Sequence, residues 1–380
     1  MSHDVIVVGG GIVGASTAYH CAREGLRTLL LDRVDSGRAT DAGAGILSPE
    51  TSAGREHAWS RFATMAVRYY DRLLRDLEAE GGGESGYARC GLILVAATDD
   101  EVGAYAGAAA GIFDRQRESG WPAERDLHEL TAEQAREKFP PLALVRRALF
   151  SRLAARMDGR VFTQTLLRAG QRRGVVIERA SVERIEVQGG RVRGVAAVGR
   201  NYEAPAVVIA GGAWSKLLTE QVGVRLGVEP QRGQILHLQL ADANTDRWTI
   251  VNAFHGHYVV PWAGGRIVVG ATRETGSGFD PRITAAGVQE VLTEALRVAP
   301  GLASAGLREM RVGLRPLSSD LAPVLGPVPG LEGAFLATGH GPAGLQLGPY
   351  SGKLVTDLLR GRAPDLDLTP FAVARFASSH

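Results

Sequence analysis

The chain has 380 residues, of which 45% are hydrophobic and 22% charged, and its formal net charge is +2. That length holds one large domain or two that share a core, and the composition excludes wholesale disorder. Arginines are interleaved with acids, as in Arg72-Leu-Leu-Arg75-Asp76-Leu-Glu78, which argues against the clustered basic face of a nucleic-acid binder.

Residues 4–8 (Asp-Val-Ile-Val-Val) predict a buried strand, Gly9 to Gly14 a turn, and Ala15 to Glu24 a helix stopped by Gly25. Thr28-Leu-Leu-Leu31 predicts the next strand, ending in Asp32 and completing one βαβ unit. The opening apolar run follows an acid and is too short for a signal-peptide core. No run reaches the ~20 apolar residues of a membrane helix, so no transmembrane segment and a cytoplasmic location are expected. A glycine-rich loop, Ser36 to Ile46, precedes a long amphipathic helix over 57–79, whose Trp59, Phe62, Ala66, Tyr69, Leu73 and Leu77 form one apolar stripe. Strand character follows at 90–95, and helical character at 130–139 and 158–174. Strands are then predicted at 175–177, 182–187 and 206–210, the last running into Gly211-Gly212-Ala213-Trp214. Residues 226–314 alternate apolar and polar side chains, which predicts antiparallel sheet. The C-terminal part returns to the βα pattern of the N-terminus, with a strand at 334–337, a glycine loop at 339–344 and a helix to about Leu359. Cys21 and Cys90 fall in helix and strand patterns and read as core fillers, not as a disulfide framework.

Parallel βα segments and antiparallel segments therefore alternate along the chain. The expected architecture is α/β: a doubly wound, Rossmann-like domain interleaved with a mostly antiparallel β-sheet (α+β) domain. The cofactor domain is expected from 1–85, 146–225 and 315–380, and the substrate domain from 86–145 and 226–314.

Gly9, Gly11 and Gly14 satisfy the G-x-G-x-x-G pattern between a strand and a helix. The first glycine permits the tight turn, the second lets backbone amides approach a pyrophosphate, and the third lets helix and strand pack closely. The helix N-terminus adds partial positive charge. Asp32 falls about 20 residues after the turn, where a carboxylate accepts hydrogen bonds from a ribose hydroxyl and repels a 2′-phosphate. That points to FAD or NAD. A nicotinamide site is usually one contiguous domain, whereas this chain carries a second glycine-rich loop after Asp32 and a third at Thr338 to Gly344. FAD, with contacts from both chain ends, accounts for all three, and the N-terminus of the last helix suits negative charge on a reduced flavin.

In order and spacing, several pieces resemble one family: Val5 to Gly14, Asp32, Gly37 to Leu47, Val207 to Trp214, Arg232-Gly233-Gln234, Tyr258 to Pro261, Val269 to Thr272, Gly313 to Pro316 and Thr338-Gly339-His340. They look like the D-amino-acid oxidase superfamily of FAD-dependent oxidoreductases, nearest its glycine oxidase and D-amino-acid dehydrogenase branches. The resemblance covers essentially the whole chain. It implies that Gly9, Gly11, Ile12, Val13 and Gly14 hold the FAD pyrophosphate, and that Asp32, with Arg33 beside it, holds the adenosine ribose. Ala39, Thr40, Ala44, Gly45 and Ile46 would line the ribityl and flavin, Val182 would contact adenine, and Gly211 would lie at the returning strand. His340, Gly341, Pro342, Ala343, Gly344, Leu345 and Gln346 would run along the flavin edge, and Tyr258 and Arg315 would grip a substrate carboxylate. The implied reaction is oxidation of a small amino or imino acid (glycine, sarcosine or a D-amino acid) by hydride transfer from Cα to flavin N5. The resulting imine hydrolyses, and oxygen or a quinone-type carrier takes the electrons. A guanidinium fork and a neutral phenol suit a carboxylate, and the chemistry then requires a neutral amine and orientation but no protein base.

The loop departs from the glycine oxidase pattern at Pro342, where that family carries a basic residue, which weakens the case for glycine itself. No cysteine sits near Arg315 or the C-terminal loop, so the FAD is expected to be non-covalent. His255 and His257 share a strand-like spacing, but no third ligand is near, so no metal site is expected. Glu50 and His57 read as an exposed polar loop, Trp214 as packing, and Trp262 as pocket wall or surface. One rival reading is a 2-hydroxy-acid dehydrogenase with His257 or His340 as base. Another is a flavin subunit that needs a partner chain, and a plain NAD dehydrogenase ranks below both. A homo-oligomer is compatible with the sequence.

Overall fold

The computed structural model describes residues 3–52 and 56–376, so the outermost ends of the expected cofactor segments lie outside the described residues. A six-stranded sheet forms the first layer, in the order Val324–Pro327, Ala334–Thr338, Val207–Ile209, Val5–Val8, Thr28–Leu31 and Val176–Glu178. All neighbours pair in parallel except the edge strand Val324–Pro327, which is antiparallel. Val5–Val8 is buried along its whole length, as a strand covered on both faces must be. Its side chains alternate between two cores. Val5 and Val7 pack with Ala18, Cys21, Phe62 and Leu354 from the helical layer. Ile6 and Val8 pack with Ile185, Val192 and Tyr202 of a three-stranded meander that covers the other face.

The first helix runs from Ile12 to Arg23, three residues earlier than the apolar pattern suggests, because Gly11 is its N-cap and Gly14 already lies in its first turn. A methyl group at Gly14 would stand 1.8 Å from the Gly9 carbonyl oxygen, so only glycine lets the helix start this close to the strand. The C-terminal helix Gly344–Leu359 crosses it at Gly352, where a methyl group would stand 2.6 Å from the Thr17 amide nitrogen. The amphipathic helix His57–Ala79 closes the layer by burying Trp59, Phe62, Ala66, Leu73 and Leu77.

A nine-stranded, mostly antiparallel sheet forms the second body. Its longest strands, Val228–Gln239 and Gly306–Ser318, pair from Val228 with Ser318 to Gln239 with Gly306. The architecture is therefore α/β with a Rossmann-like parallel sheet beside a large antiparallel one, as the alternation along the sequence predicts.

Four local expectations change. The region 226–314 is not all strand, because Ala285–Val298 is a helix capped by the Thr284 side chain, which accepts from the Gly287 amide. Its Val291, Ala295 and Val298 bury against Leu236, Leu238, Ile267 and Val269, a 3.6-residue period inside a stretch read as alternating. A second unanticipated helix, Val102–Ser119, buries Tyr105, Ala109 and Ile112 against the strand Leu92–Ala96. The stretch 130–139 divides into strand Leu127–Leu130 and helix Ala132–Lys138, separated by a capping box at Thr131. The strand Arg147–Ser151, placed by sequence in a cofactor segment, pairs with Leu92–Ala96 and Leu127–Leu130 in the large sheet.

The long strand Gly306–Ser318 positions the site. While still paired in the large sheet, it also bridges Arg38 through Leu314 and His340 through Leu317, so it ties the loops of the parallel-sheet body to the antiparallel one. Among the described residues, no helix is long and apolar enough to cross a membrane.

Candidate active site

The two bodies enclose a cavity of about 550 Å³ that runs from Asp32 at one end to Tyr258 and Arg315 at the other. At the first end the turn Gly9 to Val13 forms the floor. Gly9 has φ +108°, and a methyl group there would stand 2.5 Å from the Ala210 carbonyl oxygen. The helix N-terminus opens onto the cavity, and the Ile12 amide donates to Thr40 Oγ1 at 3.1 Å. Asp32 Oδ2 accepts from Arg38 Nη1 at 2.6 Å, and Arg38 also reaches Asp41 at 3.1 Å. Arg33 pairs with Asp35 and lies 5.8 Å from the centre of the Trp214 ring. Val182 lines the same end.

The middle of the cavity is walled by Ala39, Thr40, Ala44, Gly45 and Ile46 on one side, and by Gly211 to Trp214 on the other. His340, Gly341, Pro342, Gly344 and Leu345 close it as a short 3-10 turn entering the last helix. Three residues of the expected set do not line it. Gly14 packs the helix onto the Gly9 carbonyl, and Ala343 packs against the core of the helical layer. Gln346 turns away because its Oε1 accepts from the Ser48 amide at 2.9 Å, tying the last helix to the loop after Ile46.

His340 is buried, and burial alone holds its imidazole down at about 4. Its Nε2 lies 2.9 Å from Ser351 Oγ, whose hydroxyl donates to the Leu347 carbonyl at 3.0 Å. With that hydroxyl proton committed, the Nε2–H of a neutral His340 is the donor to Ser351.

At the far end, Tyr258 opens the strand Tyr258–Pro261 and Arg315 lies on the long strand. Arg315 Nη1 donates to the Thr272 carbonyl at 2.9 Å and to Gln231 Oε1 at 3.4 Å. Two glycines leave room for the pair. A methyl group at Gly233 would stand 2.4 Å from the Arg315 guanidinium, and one at Gly270 would stand 3.0 Å from the Tyr258 hydroxyl. Burial pushes the Tyr258 phenol above its ordinary value, against the opposing field of Arg315, and burial pushes the guanidinium down. Among the described residues, no carboxylate lies within 4.0 Å of Arg315. A partly buried cation without a counter-ion is costly, and it is an electrostatic invitation to an anion.

Among the lining residues that sequence reasoning did not assign are Arg38, the partner of Asp32; Trp214, read as packing; and Arg273 at the Arg315 end. The signal for Arg273 was adjacency, since it directly follows the singled-out stretch Val269 to Thr272.

His255 and His257 lie in the turn before Tyr258–Pro261 and do not line the cavity. His255 faces Glu294 at 3.2 Å, and His257 Nδ1 donates to the His255 carbonyl at 3.0 Å. Among the described residues, no group of three or more His, Cys, Asp or Glu side chains could hold a metal. Glu50 is not exposed, contrary to the loop reading. It is buried, its Oε1 accepts from the Ser151 and Ser48 hydroxyls, and burial pushes its carboxyl up. Its neighbour in that reading, His57, is exposed. Trp262 lies between the Arg156 and Arg266 guanidiniums, 5.1 and 4.6 Å from its ring centre, and does not line the cavity. Cys21 and Cys90 are also away from the cavity, and burial raises their thiols to about 12 and about 11.

Comparison with known proteins adds a family and its members. The family model described as FAD dependent oxidoreductase matches residues 4–358. The uncharacterized oxidoreductase YurR of Bacillus subtilis (strain 168) is 37% identical over 96% of this chain and 97% of its own. A glycine oxidase of Pseudomonas aeruginosa is 33% identical over 98% of this chain and 99% of its own. Among solved structures, the iminodiacetate oxidase of Chelativorans sp. BNC1 superposes with a TM-score of 0.91 at 34% identity, covering 97% of this chain and 98% of the other.

Proposed function

The chain belongs to the family of FAD-dependent oxidoreductases, and from that premise we propose that it oxidises a small amino or imino acid at the carbon bearing its nitrogen. The observation that carries this reading is Arg315: a guanidinium facing the cavity beside Tyr258, with no protein carboxylate to neutralise it among the described residues. The likeness to a glycine oxidase and an iminodiacetate oxidase supports it, since both names denote oxidation of small nitrogen-bearing carboxylates.

The residues present fit FAD. Gly9, Gly10 and Gly11 line a turn bare of side chains at the helix N-terminus, held close to the strand by Gly14, and the cavity continues from there past the His340 loop to Arg315. Gly9, Gly11, Ile12 and Val13 would hold the pyrophosphate and Asp32 the ribose, with Val182 at the adenine. Ala39, Thr40, Ala44, Gly45, Ile46, Gly211, His340, Gly341, Pro342, Gly344 and Leu345 would surround the flavin. The six-stranded sheet with its helices and meander is the cofactor unit. The nine-stranded sheet, Arg147–Ser151 included, is the substrate unit.

When bound, FAD accepts two electrons and the hydrogen of the oxidised carbon, leaving a carbon–nitrogen double bond that water opens. The chain's own work is placement. Arg315 and Tyr258 grip the carboxylate, the Thr272 carbonyl holds the Arg315 fork in one orientation, and the buried walls exclude water. A 2-hydroxy acid would need a base for its hydroxyl proton. His257 is off the cavity, and His340 has its Nε2 engaged with Ser351.

The test is anaerobic bleaching of the purified protein's flavin by glycine, sarcosine, D- and L-alanine, D- and L-proline and the matched 2-hydroxy acids. Bleaching by an amino or imino acid and not by its hydroxy counterpart is expected. Bleaching by hydroxy acids alone, or by nothing in the panel, overturns the reading.

A further inference from the structure

Four arginines line the cavity, and they differ in what they face. Arg33 is paired with Asp35, and Arg38 with Asp32 and Asp41, all at the dinucleotide end. Arg273 and Arg315 stand at the opposite end, and among the described residues neither has a carboxylate within 4.0 Å. The acids that line the cavity, Asp32, Asp35 and Glu183, all belong to the dinucleotide end. One end of the cleft is therefore charge-balanced by the protein and the other carries two cations.

Arg273 and Arg315 share one lip. Arg315 is bonded to the Thr272 carbonyl, the peptide group immediately before Arg273, and Arg273 Nη1 donates to the Gly256 carbonyl. Glu274, next along the chain, would be the natural counter-ion, but it is committed elsewhere: it accepts from Arg232 at 2.6 Å, Gln234 at 2.6 Å and Thr272 at 2.7 Å. The repulsion between the two arginines is felt, since burial and then Arg273 push the Arg315 guanidinium down. FAD phosphates do not explain the pair, because the helix N-terminus and glycine turn that suit them lie at the other end.

We propose that Arg273 binds a second carboxylate, so that the substrate class is the small amino or imino dicarboxylates, with Arg315 and Tyr258 on one carboxylate and Arg273 on the other. This deepens the amine-oxidising reading and rests on it. Arg273 is exposed at the mouth, so its contact is screened by water and salt. Its effect is selection between substrates, on the order of tenfold for one charge-assisted contact of this kind.

The experiment uses FAD-loaded enzyme, wild type and the variants Arg273→Gln and Arg273→Lys, and begins with unreactive ligands. Diglycolate and methoxyacetate are ether analogues with two carboxylates and one. Their dissociation constants are read from perturbation of the flavin spectrum and from calorimetry. Wild type is expected to bind diglycolate about tenfold or more tighter, with the preference weakening as salt rises. The ratio should fall toward one in Arg273→Gln and return in part in Arg273→Lys. The same ratio is then read in kcat/KM for N-(carboxymethyl)glycine against sarcosine. Equal binding of the two ethers by wild type, or a ratio that survives in Arg273→Gln, overturns the subsite. If no amine reduces the flavin but the diglycolate preference is present and lost in Arg273→Gln, the subsite stands and the amine-oxidising reading falls. Oxidation of sarcosine with no preference for the dicarboxylate sinks the subsite alone.

Discussion

Arg315 is held by the carbonyl oxygen of Thr272, 2.9 Å from Nη1, and not by any carboxylate among the described residues. The bond fixes the guanidinium without neutralising it, so its charge stays available to a ligand. Replacing Arg315 with Gln removes the fork and the charge together. The expected loss in kcat/KM for an amino acid substrate is on the order of a hundredfold, from a charged hydrogen-bonded contact worth about 2–3 kcal/mol. Arg315→Lys keeps the charge, loses the planar fork and should recover only part. Steady-state kinetics on variants with wild-type flavin content would check this. Activity within a few-fold of wild type in Arg315→Gln contradicts the assignment.

Gly14 does not line the cavity, yet the cavity depends on it. A methyl group there would stand 1.8 Å from the Gly9 carbonyl oxygen, which belongs to backbone and cannot swing aside. Gly14→Ala must push the first helix away from the turn, and with it the amides that open onto the cleft. The expected variant purifies with little flavin and a lowered melting temperature. Its absorbance ratio at flavin and protein wavelengths, and a melting curve with added FAD, are the readouts. Full flavin occupancy in Gly14→Ala would show that the helix can shift at small cost.

The parallel sheet and the glycine turn were legible because each residue there answers to one local rule. Val5 to Val8 are apolar on both faces, and Gly9 and Gly14 sit where a side chain has no room. The helix Ala285–Val298 was not legible, because Val288, Val291 and Leu292 sit in a region whose flanks alternate, and the capping signal at Thr284 is a single residue. Glu50 was misread because its surroundings, Pro, Thr and Ser, have the composition of an exposed loop. Its burial comes from Ser151, a hundred positions away, which no local pattern encodes. Arg315 was reached through the resemblance of the piece Gly313 to Pro316 to a known family, whereas Arg273 was not reached, since its meaning comes from what it lacks: a counter-ion that only three-dimensional geometry can show to be absent among the described residues.

His340 links stability to pH. Its folded-state value of about 4 lies below the ordinary 6.5, so the native state binds its proton less readily than the unfolded chain does. The stabilisation from keeping this ring neutral is fully present above about 6.5 and is lost as pH falls toward 4. For a fully buried group the loss amounts to at most roughly 3 kcal/mol. His340→Asn removes the titration, so its unfolding free energy should fall less steeply between pH 7 and pH 5 than that of wild type. Urea titrations of the flavin-loaded proteins at the two pH values give the comparison. Parallel slopes would mean that His340 is not the group responsible, and would shift attention to His20 and His237, which burial also holds at about 4.

The same neutral His340 shapes the expected pH profile of catalysis. His340 lines the cavity, but its Nε2 is engaged with Ser351, and burial holds its imidazole down at about 4, so it is neutral across the working range. Tyr258 is pushed upward by burial, and Arg315 stays cationic, so neither ionises in the working range. Among the described residues, no lining group is then placed to accept a proton from the substrate amine. The amine must arrive neutral, and the acid limb of kcat/KM should belong to the substrate. Changing the substrate to one with a less basic nitrogen should move that limb to lower pH by the difference in amine pKa, with His340→Asn leaving its position unchanged. A limb that keeps its position when the amine is changed, and moves when His340 is replaced, would instead assign the proton to the protein. Measuring kcat/KM against pH for two amines of different basicity separates these outcomes, because a substrate ionisation follows the amine and a protein ionisation follows the variant.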